Sequence, residues 1–173
     1  NSYDGKNAVQ TVMSMHMYPD YWVTQKVIDV PKAVQERLKI GAKVSYMDLT
    51  NIKTGENKFL TEYNASHQKL ESKRDEFEKK IIKVVERYQV LQSFMSWGYM
   101  KLIPMPNDPR QMWHVPLEDE LMKVDTTASM MTLRYLASLD EGARNNNFAK
   151  ASTLLTSLKA FQRSVSNEDI LPT

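Results

Sequence analysis

The chain has 173 residues, 42% of them hydrophobic and 25% charged, which is enough for a real core in one domain or two small ones. Its net charge of +2 is too small to point to nucleic acid or to an anionic membrane surface. Having no cysteine, it has no disulfides, thiolate zinc sites or cysteine nucleophiles, and the redox compartment stays open.

Residues 6–17 form a candidate first helix, with Asp4 as its cap and Val9, Val12, Met13, His16 and Met17 on one face. Tyr18-Pro19-Asp20 breaks it. Residues 21–30, with Trp22, Val23, Val27, Ile28 and Val30, read as extended. Pro31 suits the first turn of a helix over 32–39 that Gly41 stops, residues 44–49 are ambiguous, and 50–57 are a polar turn. Helical territory then opens near Lys58 and leads toward residues 72–113, the stretch that dominates the chain. Phe77, Ile81, Val84, Val85, Tyr88, Leu91, Phe94 and Met95 recur in threes and fours, as one face of a long helix requires. Gly98 weakens its end, and Pro104, Pro106 and Pro109 cannot continue it. The apolar alternation and Trp113 favour an ordered, extended arm. Beyond it, 117–139 and 148–165 form a helical hairpin about a turn at 141–147, with Asn147 as a cap, and 167–173 are a tail or linker. The fold class is mainly α: a bundle with a long central helix, a C-terminal hairpin and a proline-rich arm, as one domain over 1–166.

Chemistry is sparse. Met13, Ser14, Met15, His16 and Met17 carry ligands suited to copper(I) or haem iron, but they converge only on an extended backbone, and the favoured reading is a helix whose methionines fill core gaps. His67 sits among polar residues as a surface histidine. His114, beside Trp113 and near Asp119 and Glu120, is an acid–base or ligand candidate, and more simply a structural residue. No two histidines have helical zinc spacing, the five glycines form no phosphate loop, and no serine lies in G-x-S-x-G, so no catalytic or metal site is assigned. The arm concentrates Trp97, Tyr99, Pro104, Pro106 and Trp113. These either wrap over the domain's own helices or face a partner. Wrapping is favoured, with Trp113 substantially buried, and these five residues are the candidate interaction surface.

Two segments carry a resemblance. One runs from Asn7-Ala8-Val9 through Met15-His16-Met17-Tyr18-Pro19-Asp20-Tyr21-Trp22 to Val27-Ile28. The other runs from Phe77-Glu78-Lys79-Lys80-Ile81 to Lys101-Leu102-Ile103-Pro104-Met105-Pro106-Asn107-Asp108-Pro109 and Trp113. Together they resemble the extracytoplasmic region of the ResB/CcsA-type (system II) cytochrome c biogenesis proteins of Bacteroidetes. There too an amphipathic helix, an L-x-P-x-P-x-D arm, a tryptophan and a helical hairpin follow in order. The late run Asn147-Phe148-Ala149-Lys150-Ala151 to Phe161-Gln162 is similar to that family's last helix. The resemblance implies a non-catalytic domain on the periplasmic side of the bacterial inner membrane. It would be part of a membrane protein that exports haem and presents it to apocytochrome c. The implied partners are the membrane-embedded remainder of the same protein and the apocytochrome, with haem as the parent's cofactor and none in this domain. The family's tryptophan-rich haem segment and membrane histidines have no counterpart here, so none of His16, His67 and His114 inherits a ligand role.

No apolar run approaches the roughly 20 residues of a membrane span, and the first residues form no signal peptide. The start at Asn1 reads as a processed protein or an excised piece of a larger one. Two rival readings stand beside the first: a free-standing helical interaction module unrelated to haem, and a haem or copper carrier using the 13–17 cluster.

Overall fold

The computed structural model describes residues 3–105, 108, 110, 112–116 and 118–165, and is mainly helical. Contacts divide the chain into two compact units, Asn1–Ser96 and Trp97–Thr173, where the sequence reading draws one domain over 1–166. The tail at 167–173 lies outside the described residues.

The first unit opens with α1 (Ala8–Met17). Its cap is Asn7 and not Asp4: the Asn7 side chain accepts from the Gln10 amide, and Gln10 reaches back to the Asn7 amide. Asp4 instead sits in the left-handed region at φ 49°. Pro19 starts a four-residue α2 (Pro19–Trp22), so Trp22 is helical, and only β1 (Ile28–Asp29) of the stretch expected to be extended is strand. Pro19 fits because a helix's first turn needs no amide donor there. Pro31 is the cap of α3 (Lys32–Leu38), which ends at Lys39 with φ 55°, ahead of the glycine expected to stop it. The ambiguous stretch resolves into β2 (Lys43–Val44), paired antiparallel with β1 in the register Ile28↔Val44, and α4 (Tyr46–Leu49), capped by Ser45 and Asp48. The polar turn is present, closed by a bridge between Thr50 and Asn57.

α5 (Leu60–His67) is separate from the long helix. A single 3-10 turn (Glu71–Lys73) intervenes, and Asp75 and Glu78 form a fresh capping box that starts α6 (Glu76–Met95). Arg74 holds the break by donating to the carbonyls of Ser66, Lys69 and His67 at 2.9, 3.0 and 3.0 Å, at the end of α5 and just beyond it. The expected stripe on α6 is the buried one. Phe77, Ile81, Val84, Val85, Tyr88 and Leu91 pack with Ile28, Val30, Val34, Val44 and Leu49 into one core. Each such side chain contributes about 1.5–3 kcal/mol by leaving water. Phe94 and Met95 are half-buried at its edge.

In the second unit the arm is a minimal hairpin. β3 (Ile103–Pro104) pairs antiparallel with β4 (Trp113–His114) in the register Ile103↔His114. Ile103 is fully buried and forms a core with Leu121, Ala128 and Leu158, while Gln162 donates to the Leu102 carbonyl at 2.8 Å. The arm therefore packs against helices of its own unit. α7 (Asp119–Val124) ends at Asp125, whose side chain caps α8 (Thr126–Asn145) by accepting from the Ala128 amide. α8 runs through most of the residues read as a turn. It stops at Asn146, left-handed at φ 50°, and α9 (Ala149–Val165) completes the hairpin. Asn147 accepts from the Ala149 amide at 3.1 Å, as a capping side chain does. The inward face of α8 is small and polar: Ser129, Thr132, Ser138 and Gly142 are buried with Ala128 and Leu136.

Candidate functional site

The described arm residues differ in exposure. Pro104 is buried at the Trp113 register position, Trp113 and Trp97 are half-buried, and Tyr99 is exposed. Pro106 lies outside the described residues. Trp113 is thus partly covered, while its neighbour His114, on the other face of β4, is the buried one. Trp97 is left-handed at φ 66°, just past the end of α6, a conformation that costs a side-chain-bearing residue about 1 kcal/mol or more. Asp108 lies between the two strands in sequence. Its carboxylate accepts from the amides of Arg110 and Met112, both at 3.0 Å, and these bonds hold its pKa below the usual range.

His114 is the centre of the polar geometry in this unit. It is 4% exposed, and its Nδ1 lies 3.2 Å from Glu118 Oε2, which also accepts from the Val115 amide at 3.1 Å. A carboxylate at Nδ1 favours the tautomer that carries its hydrogen there and leaves a lone pair on Nε2. That Nε2 is buried and has no hydrogen-bond partner among the described residues. A cavity of about 390 Å³ adjoins the pair, lined also by Lys101, Met112 and Trp113. The dyad can hold a proton at Nδ1 and accept at Nε2, but among the described residues no serine or threonine hydroxyl lines the cavity beside it to be activated. Glu118 escaped the sequence reading, which paired His114 with Asp119 and Glu120. The four-residue spacing was visible, but His114 lies on a strand and not in a helix, so helical spacing rules had no purchase on it.

The 13–17 cluster lies within α1. On a helix its side chains fan around the axis, and Met15 packs against the core of the first unit. His16 is buried, edge-on to Phe94 at 6.2 Å, and burial lowers its pKa against the opposing effect of a hydrogen bond to the Phe94 backbone. It fastens α1 to α6. His67 is exposed beside Tyr63. Among the described residues no three His, Asp or Glu side chains group as a metal site would need.

No family model matches the chain, and no curated protein matches it. Among the described residues, no helix is long and apolar enough to cross a membrane.

Sequence reasoning also missed a groove of about 580 Å³ in the first unit, lined along α6 by Lys83, Arg87, Val90, Leu91 and Phe94. Its one sequence signal is Val90, an apolar residue off the core stripe of α6 and 44% exposed.

Proposed function

We propose that the chain is a non-catalytic domain on the periplasmic side of the bacterial inner membrane, part of a membrane cytochrome c biogenesis protein. It supports haem presentation or docks the apocytochrome, and haem belongs to the parent protein. The observation that carries this reading is the L-x-P-x-P-x-D arm between an amphipathic helix and a helical hairpin, in the order in which the resembling family has them. The pairing of β3 with β4, with Tyr99 exposed and Trp97 and Trp113 only partly covered, supports a docking role. The test is made in the host with the full-length protein. Tyr99→Ala and Trp113→Ala are expected to lower haem-stained c-type cytochromes severalfold while the protein still accumulates in the membrane. Undiminished cytochrome maturation in both variants, or a gene without membrane spans on either side of this region, overturns the reading.

A second reading, a helical interaction module unrelated to haem, draws on the groove along α6. Normal c-type cytochromes in a deletion strain would favour it.

A further inference from the structure

The groove in the first unit differs along its length. Met15, Val27, Val90, Leu91 and Phe94 make one end apolar, and Lys83, Glu86 and Arg87 make the other charged. From Lys83 to Phe94 it follows α6 for eleven residues, about 16 Å, the reach of roughly five extended residues. Its far wall is β1. Ile28 pairs with Val44, and the Val30 amide donates to the Ala42 carbonyl, so the polar groups of residues 28 and 30 point to β2. Those of Val27 and Asp29 point the other way, toward α6, as the Arg87 guanidinium confirms by donating to the Asp29 carbonyl at 2.6 Å.

Two backbone groups on that open edge have no partner among the described residues: the Val27 carbonyl and the Asp29 amide. They flank Ile28. One residue of a parallel strand satisfies such a pair, donating to the carbonyl before its opposite number and accepting from the amide after it. An antiparallel strand needs the Asp29 carbonyl, which Arg87 occupies. Charge sets the direction as well. The Asp29 carboxylate is 3.6 Å from Lys43, while Lys83 joins no ion pair among the described residues, so the end reached by Asp29 carries a net positive charge even with Glu86 counted.

We propose that this groove binds an extended segment of a partner protein as a third strand parallel to β1. Its apolar side chains lie at the Val90–Phe94 end, and a carboxylate C-terminal to them lies at Lys83 and Arg87. This is strand addition: the backbone pair supplies register, the apolar end affinity, and the cations polarity. It does not depend on the cytochrome reading, since it concerns a different unit and a different class of contact.

The test uses the whole chain and a fluorescein-labelled peptide of about eight residues, leucines and valines first and glutamates last, beside the same residues in reversed order. The forward peptide is expected to bind at least about tenfold more tightly, and Val90→Glu to lose at least about tenfold of that affinity. Val90 is 44% exposed, so the variant keeps its fold, which circular dichroism checks. Lys83→Glu should transfer the preference to a peptide ending in lysines. Amide exchange at Asp29 should slow when the forward peptide saturates, a signature that contact through side chains alone does not produce. No binding, equal affinity for the two orders, indifference to Val90→Glu, or unchanged exchange at Asp29 each overturns the proposal.

Discussion

Replacing Gly142 with alanine should destabilise the second unit, although the position lies inside a helix and alanine is the better helix former. An added Cβ would sit 2.8 Å from Phe148 Cδ1 and 2.9 Å from the Asn147 carbonyl oxygen, both closer than real Cβ atoms come. The ring can give way, since Phe148 is 47% exposed. The carbonyl cannot, because it belongs to the turn that the Gly142 carbonyl itself holds by accepting from the amides of Asn146 and Asn147. Alanine gains about 1 kcal/mol of helix propensity. Two simultaneous overpacked contacts, one of them to backbone, place the cost in the upper part of the usual range of about 1–3 kcal/mol. The net loss is about 1–2 kcal/mol, and for a unit of this size each kcal/mol lowers the melting temperature by roughly 4–8 °C. Thermal melts followed at 222 nm, with amide exchange read along α8 and α9, measure it. Adding Phe148→Ala should recover part of the loss and leave the share due to the carbonyl. A Gly142→Ala protein more stable than wild type by about 1 kcal/mol, as at an ordinary helical glycine, refutes the reasoning.

Asp75→Ala removes the capping side chain of α6 and strips Glu78 of its reciprocal role; a loss of about 1 kcal/mol is expected in the urea midpoint, and no change would mean the helix start is held by packing alone. Arg74→Lys should behave like Arg74→Ala, since a point charge cannot span the three carbonyls of Ser66, His67 and Lys69, and faster amide exchange at the end of α5 is the readout. Burial depresses the His16 pKa below 6.5, so the unfolded chain takes up a proton where the folded protein does not. Its contribution to stability is whole above that value and is lost as pH falls through it, by at most about 1.4 kcal/mol per pH unit; His16→Gln should flatten that slope in urea midpoints between about pH 7.5 and 5, and an unaltered slope counts against the assignment. Tyr46, stacked on Tyr88 at 4.3 Å, has a phenol pushed up to about 12, chiefly by burial, so Tyr46→Phe should delete the last phase of a phenolate absorbance titration.

The local sequence carried most of the helices because their apolar residues recur at the helical period and their ends have recognisable chemistry. The α6 stripe, the break at Tyr18-Pro19 and the α8–α9 hairpin were legible for that reason. Errors came where two local signals competed. Gly142 looked like a turn and is helical, because the space it leaves is filled by Phe148 and Asn147 from the chain beyond. Gly41 looked like the stop of α3, but Lys39 took the left-handed position first. Asp4 and Asn7 both qualified as caps, and Asn7 won because Gln10 stands three residues on to complete the box.

For the candidate sites the division is sharper. Residue types alone settled that cysteine chemistry and disulfides are out of reach, and that the 13–17 run can serve a metal only if it is not a helix. Three things depended on the tertiary structure. Glu118 came to His114 at a four-residue spacing outside any helix; the open edge of β1 came to face α6; and in β4 His114, more than Trp113, became the buried residue. Each is a relation between segments distant in sequence or joined by irregular backbone. Periodicity reports which face of an element is apolar, and not what that face will meet.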